Sequence, residues 1–210
     1  MPAATLTKRK PTRRRAASPE EAKTRLIEAA GAVLAANHGA LEMAEVAAQA
    51  GASAGLAYHY FGSKSGLISA VVEAFYDRYD AVANERMDPR ESWGKRERRR
   101  LGRVVDFLYT EPLAPVVLGM LGRTPEVAAV EAARQRAMIE LAAHNIENGM
   151  RSGEIASEVD PMIAGAAIIG GIRQASALAL EKKSRTKREA LAENLWTFIA
   201  GAVRLKETKS

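Results

Sequence analysis

The 210-residue chain contains no cysteine, which excludes disulfides, thiolate nucleophiles and zinc sites built on sulfur. Its three histidines, His38, His59 and His144, are scattered without metal-ligand spacing, so no metal is expected. No nucleophile elbow, phosphate loop or dinucleotide fingerprint occurs, and the glycine-rich stretches fall inside apolar helical patterns. Neither an enzyme nor a cofactor site is therefore expected. No apolar segment with a small-residue cleavage site follows the basic first residues, which argues against a secretory leader. The longest small-apolar run, Ala164 to Gly171, lies between Asp160 and Arg173 and is too short to span a bilayer. A cytosolic protein without a membrane partner is the expectation. No stretch alternates with period two for long enough to build a sheet.

What is present is an ordinary soluble composition, 47% hydrophobic and 27% charged, with a net charge of +6. Lys8, Arg9, Lys10, Arg13, Arg14 and Arg15 precede the first acid, Glu20. Those six leave 25 of the 31 basic residues, which the 25 acids balance, so the excess charge resides in a short N-terminal arm with Pro2 and Pro11. Such a block is expected to be disordered and to seek a polyanion. A solubility tail or an expression remnant would have the same composition.

Ser18-Pro19-Glu20-Glu21 reads as a helix start: Ser18 caps, Pro19 fits the first helical position and Glu21 completes a capping box. Leu26, Ile27, Ala30, Val33 and Leu34 follow with helical spacing until Asn37-His38-Gly39. A short helix over Met43 to Ala50 is broken by Gly51, and Ser53 caps another that runs to about Tyr60. This is the outline of a helix-turn-helix. Beyond Phe61-Gly62-Ser63 a long helix carries Leu67, Ile68, Val71, Val72, Phe75 and Tyr79, fading near Asp88-Pro89. Pro112, Pro115, Pro125 and Pro161 punctuate the remainder. One helix is expected over Pro125 to Arg151, another over about Pro161 to Lys183, and a last over Thr186 to Lys206. Lys95, Arg96, Arg98, Arg99 and Arg100, accompanied by Glu91 and Glu97, read as a solvated helix face.

The stretch from Val46-Ala47-Ala48-Gln49-Ala50-Gly51 through Ser53-Ala54-Gly55 and Tyr58-His59-Tyr60-Phe61 to Ser63-Lys64-Ser65-Gly66-Leu67 resembles, without gaps, the DNA-binding signature of the TetR/AcrR family of bacterial repressors. A later echo is Gly149 to Ile155 with Asp160-Pro161, similar to a family junction before the last two helices. The resemblance implies an all-α fold in which an N-terminal three-helix unit reads DNA and a larger helical domain binds ligand and dimerises. The division expected is a basic arm over residues 1–17, a helix-turn-helix domain over 18–64 and a ligand-binding and dimerisation domain over 65–210.

A recognition helix presents its N-terminal residues to base edges in the major groove, which here are Ser53, Ala54, Gly55 and Leu56, and the Ser53 hydroxyl can also hold a phosphate. Tyr58, His59 and Lys64 resemble the family's phosphate-contacting positions; a packing tyrosine, a surface histidine and a solvated lysine are the alternatives. Tyr60 and Phe61 belong to the core. Two departures from the family pattern stand out. The loop at Gly39 to Met43 is short, with Glu42 where a capping Thr or Ser is usual, and Ala54 replaces a polar or basic residue. An acid suits a helix N-terminus but repels a phosphate. Residues 20–64 hold three cations, Lys23, Arg25 and Lys64, against five acids, a net of −2. Arg13, Arg14 and Arg15 of the arm are therefore expected to reach phosphates or the minor groove.

The C-terminal helices carry more apolar residues than one seam needs, which suits an enclosed apolar ligand site. Phe107, Met120 and Met138 are candidate apolar walls, with Trp93, Tyr109, His144, Asn145, Arg173 and Gln174 as aromatic or polar ones. Ala167, Ile168 and Gly171, with Leu195, Phe198, Ile199 and Ala202, form stripes expected at a homodimer interface, although such stripes can also seal the chain's own core. The reading is a ligand-responsive regulator, a repressor by expectation, that binds double-stranded DNA at a palindromic operator as a homodimer and is released by a small apolar effector. The alternative is a helical ligand-binding or adaptor protein that has lost specific DNA recognition.

Overall fold

The computed structural model describes residues 18–119, 124–181 and 186–206. Among them are nine helices and no strand, as the missing period-two patterns require: α1 Pro19–Ala36, α2 Met43–Ala50, α3 Ala54–Phe61, α4 Lys64–Ala83, α5 Trp93–Thr110, α6 Ala114–Gly119, α7 Pro125–Arg151, α8 Pro161–Glu181 and α9 Arg188–Ala202. Arg13, Arg14, Arg15 and Met120 lie outside the described residues.

The caps explain where the helices of the N-terminal unit begin and end. The Ser18 Oγ accepts from the Glu21 amide at 3.2 Å and the Glu21 carboxylate accepts from the Ser18 amide at 2.8 Å, closing the capping box. The chain leaves α1 through His38 and Gly39, both with positive φ, and turns from α2 into α3 at Gly51, whose φ of 63° is the left-handed conformation glycine favours. The α1 face Leu26, Ala30, Val33 and Leu34 is buried against α2 and α4.

Two apolar clusters hold the fold. One joins Leu26, Leu34, Val46 and Ala57 of the first three helices to Phe75 and Tyr79 of α4, Leu108 of α5 and Val117 of α6. It crosses the expected division between residues 64 and 65 without a break. The other gathers Trp93, Leu101, Val105, Ile146, Ile155, Ile168, Leu191, Leu195 and Ile199 at the opposite end. The Gly149–Ile155 junction belongs to this second cluster: the Glu154 carboxylate accepts from the Trp93 amide at 2.9 Å, at the first turn of α5. Trp93 Nε1 in turn donates to the Asn145 carbonyl at 2.8 Å.

α8 packs along α7 closely enough that a Cβ on Gly165 would stand 3.1 Å from the Ile139 carbonyl oxygen. Among the described residues α8 is the one helix long and apolar enough to cross a membrane, although the run Ala164 to Gly171 within it is not, and α8 is partly buried within the fold.

Candidate nucleic-acid interface and interior cavity

The N-terminus of α3 is built by Ser53, whose extended backbone and side chain cap the helix; its Oγ accepts from the Leu56 amide at 3.1 Å, leaving the hydroxyl proton to donate outward. Ala57 is fully buried and anchors the helix, while Tyr60 and Phe61 pack half-buried against the core. The opposite face carries exposed Gly55, Tyr58 and His59 next to exposed Ser53, with Ala54 and Leu56 half-buried beside them. Tyr58 is 49% exposed, which a packing tyrosine would not be. Lys64 opens α4 behind the Ser63 cap. Its Nζ lies 3.2 Å from the Glu42 carboxylate, and the lysine side chain remains 47% exposed. Glu42 stands at the N-cap of α2 without making a capping hydrogen bond.

At the far end of α4, an apolar cavity of about 110 Å³ opens between α4, α5, α7 and α8. A smaller hollow beside it shares Tyr79, Met138, Ile169 and Ile172. Of the residues expected to bind ligand, Trp93, Met138 and Asn145 line the cavity, and Arg173 lines the hollow. Arg173 is engaged there, donating to the Tyr76 hydroxyl at 2.9 Å and pairing with Glu131 at 3.3 Å. The others lie elsewhere. Phe107 meets the ring of Phe75 at a tilt and that of Tyr79 edge-on, Tyr109 donates to the Thr186 carbonyl at 2.6 Å, His144 faces Glu147 on the surface, and Gln174 is exposed.

The charged part of the cavity wall consists of residues the sequence reading did not single out for this role: Asp80, Glu97 and Arg100. Arg100 departs from the solvated face expected for its run. Its side chain is 21% exposed, pairs with Glu97 and donates through Nε to the Ala83 carbonyl at 2.6 Å. Asp80 pairs with Arg134, which also holds Asp77. Burial pushes the Asp80 carboxyl above its ordinary range, an effect the nearby Arg134 opposes. Burial likewise holds the Tyr79 phenol far above its usual range, so it remains neutral. No local sequence pattern marks these groups, because helices distant in sequence bring them together.

The stripes on α8 and α9 divide. Ile168, Leu195 and Ile199 are buried in the chain's own second cluster. Gly171 allows close approach of Phe198, whose ring carbon would lie 3.0 Å from an added Cβ. Ala167 is exposed, Ala202 is half-buried, and Phe198 is 46% exposed. Ile163 and Leu178 extend this outward apolar surface along α8.

A family model described as bacterial regulatory proteins, tetR family, matches residues 26–71, from within α1 to the first half of α4. No curated protein matches the chain. Solved structures share its fold: the fatty acid degradation regulator FadR from Bacillus halodurans is 19% identical, covering 88% of this chain and 97% of its own, with a TM-score of 0.71. A tetR-family transcriptional regulator from Streptomyces coelicolor is 21% identical over 87% of this chain and 80% of its own, at a TM-score of 0.69. A TetR-like transcriptional regulator from Rhodococcus sp. RHA1 is 23% identical, covering 86% and 94%, at 0.65. Residues 26–71 thus match the model of the tetR family of bacterial regulatory proteins, and the chain has the fold of solved TetR-family transcriptional regulators.

Proposed function

We propose that this regulator acts as a repressor, binding a palindromic operator as a homodimer in the cytosol and leaving it when a small, largely apolar effector occupies the cavity. The observation that carries the reading is the outward face of α3, where Ser53, Gly55, Tyr58 and His59 stand in solvent on a helix anchored by Ala57. Two such helices, one per protomer, would enter successive major grooves. The exposed apolar surface of α8 and α9, with Ile163, Leu178 and Phe198, supports a second copy as its occupant. α4 supports coupling between the two sites, since Tyr79 and Asp80 line the cavity while Lys64 abuts the reading head. An effector releases DNA to the extent that it prefers the conformation that does not bind DNA. Residues 65–210 are then the ligand-binding and dimerisation domain and residues 18–64 the reading domain, with the arm of residues 1–17 adding phosphate contacts.

One observation favours the second reading, a ligand-binding protein without specific DNA recognition. Lys64 is tied to Glu42 in a reading head that already carries a net charge of −2. Selection from a random duplex DNA pool, followed by titration of the enriched sequence at several salt concentrations, separates the two. Enrichment of a two-fold symmetric site supports the regulator. Weak, sequence-blind binding that vanishes at moderate salt gives the lead to the second reading.

A further inference from the structure

The charges on the cavity wall are not equivalent, and the difference bears on what the cavity accepts. An anionic ligand would need Arg100, the cation among the described residues of the wall. Arg100 is committed: Nε to the Ala83 carbonyl at 2.6 Å, and Nη1 to Glu97. Taking it from Glu97 would strand a carboxylate that is only 16% exposed. Such an unpaired buried charge is strongly unfavourable. The incoming anion would also meet Asp80 and Glu97 on the same wall.

A cationic ligand faces a different exchange. Asp80 shares its partner, because Arg134 reaches both Asp80, at 3.2 Å, and Asp77. Two carboxylates therefore draw on one guanidinium, with Glu73 adding to the negative field around it. If a ligand cation took Asp80, Arg134 would keep Asp77, whose side chain is 66% exposed. Nothing is stranded. Burial already disfavours the ionised Asp80 carboxyl, so a second cation beside it relieves an existing cost.

We infer that the cavity selects a small organic cation, an apolar body with a single ammonium-type head that pairs with Asp80. The volume sets the scale of the body: about 110 Å³, against about 150 Å³ for an engineered apolar cavity that holds benzene. A short alkyl chain lying among Leu101, Val104, Ile146, Ile169 and Ile172 would continue into the adjoining hollow that shares the last two residues. The inference names the chemistry of the effector and rests on the cavity being the effector site.

The test uses three probes of one chain length, n-pentylamine, 1-pentanol and pentanoate, titrated calorimetrically into the full-length protein at neutral pH, where the amine is protonated. Pentylamine should bind at least tenfold more tightly than pentanoate, with pentanol between them. Asp80→Asn should bring pentylamine to the level of pentanol. Arg134→Gln, which leaves the Asp80 carboxylate in place without its partner, should widen the preference for the amine. Equal or tighter binding of pentanoate, failure of all three to bind, or an unchanged preference in a folded Asp80→Asn protein would overturn the inference. Adding pentylamine to the protein–operator complex tests the effector reading separately. The predicted order of binding without any effect on DNA supports the charge selectivity and removes the effector role.

Discussion

Replacing Glu42 with Thr should strengthen DNA binding while leaving the fold nearly as stable as before. On the stability side three small terms oppose one another. The Glu42–Lys64 pair is exposed, with side chains 80% and 47% accessible, and such pairs contribute about 0–1 kcal/mol. The acid at the start of α2 adds roughly 0.3–1 kcal/mol through the helix dipole. Against these losses, Glu42 has the extended backbone of an N-cap but makes no capping bond, and a Thr there contributes about 1 kcal/mol. The net lies within about 1 kcal/mol of zero, a melting shift of no more than about 2–4 °C for a chain of this size. On the DNA side the change removes a carboxylate near the phosphates and frees Lys64. One recovered phosphate contact steepens the dependence of log K on log salt by about 0.9, which at 0.1 M salt is roughly tenfold in affinity per reading head. Fluorescence anisotropy with the selected operator between 50 and 300 mM NaCl, paired with thermal melts, reads both quantities. Glu42→Gln serves as the control that removes the charge without adding a cap. If the slope and the affinity are unchanged in a protein of unchanged stability, Lys64 is not held back from phosphate by Glu42, and the reasoning fails.

Three further outcomes follow from the geometry. Gly66→Ala would place a Cβ inside contact distance of the Phe61 carbonyl oxygen and 3.3 Å from its carbon, forcing α3 away from α4. Overpacking of about 1–3 kcal/mol outweighs the roughly 1 kcal/mol that alanine gains in a helix, so a lower melting temperature and weaker operator binding are expected; a rise in melting temperature contradicts the close approach. Tyr58→Ala should lower operator affinity about tenfold, the scale of one charge-assisted phosphate bond of about 1.5 kcal/mol, with melting unchanged because the side chain is exposed; a drop in stability instead would mark Tyr58 as a packing residue. Phe198→Glu should convert a dimer to a monomer in sedimentation velocity while the helical circular dichroism is retained, and a persisting dimer would place the interface elsewhere.

The helices were legible in the sequence wherever a local signal starts or stops them. Ser18 with Glu21, Gly51, Ser53 and the prolines at 125 and 161 mark boundaries that the structure reproduces to within a residue. α4 stops at Ala83 with Asn84 as its C-cap, before the Asp88-Pro89 expected to end it, and α9, Arg188–Ala202, is shorter than the 186–206 expected. The exposed face of α3 was legible because a short helix whose one fully buried residue is Ala57 leaves Gly55, Tyr58 and His59 outside. The cavity was not. Its polar wall joins Asp80 of α4 to Glu97 and Arg100 of α5, and the run holding Arg100 looks uniformly solvated until the helix is placed. The Lys64–Glu42 pair spans 22 residues and has no local signature either.

The unbroken cluster that runs from Leu34 and Val46 through Phe75 to Leu108 and Val117 bears on how such a protein can be re-engineered. The α1–α2 turn rests on the body as well, since a Cβ on Gly39 would touch Val116 at 3.4 Å. A reading head cut at residue 64 would leave this seam open on both halves. Chimeras that transplant the head as a cassette therefore need their junction redrawn through α4, with matched partners for Phe75 and Val116. The functional division proposed at residue 64 and the packing of the core thus fall in different places.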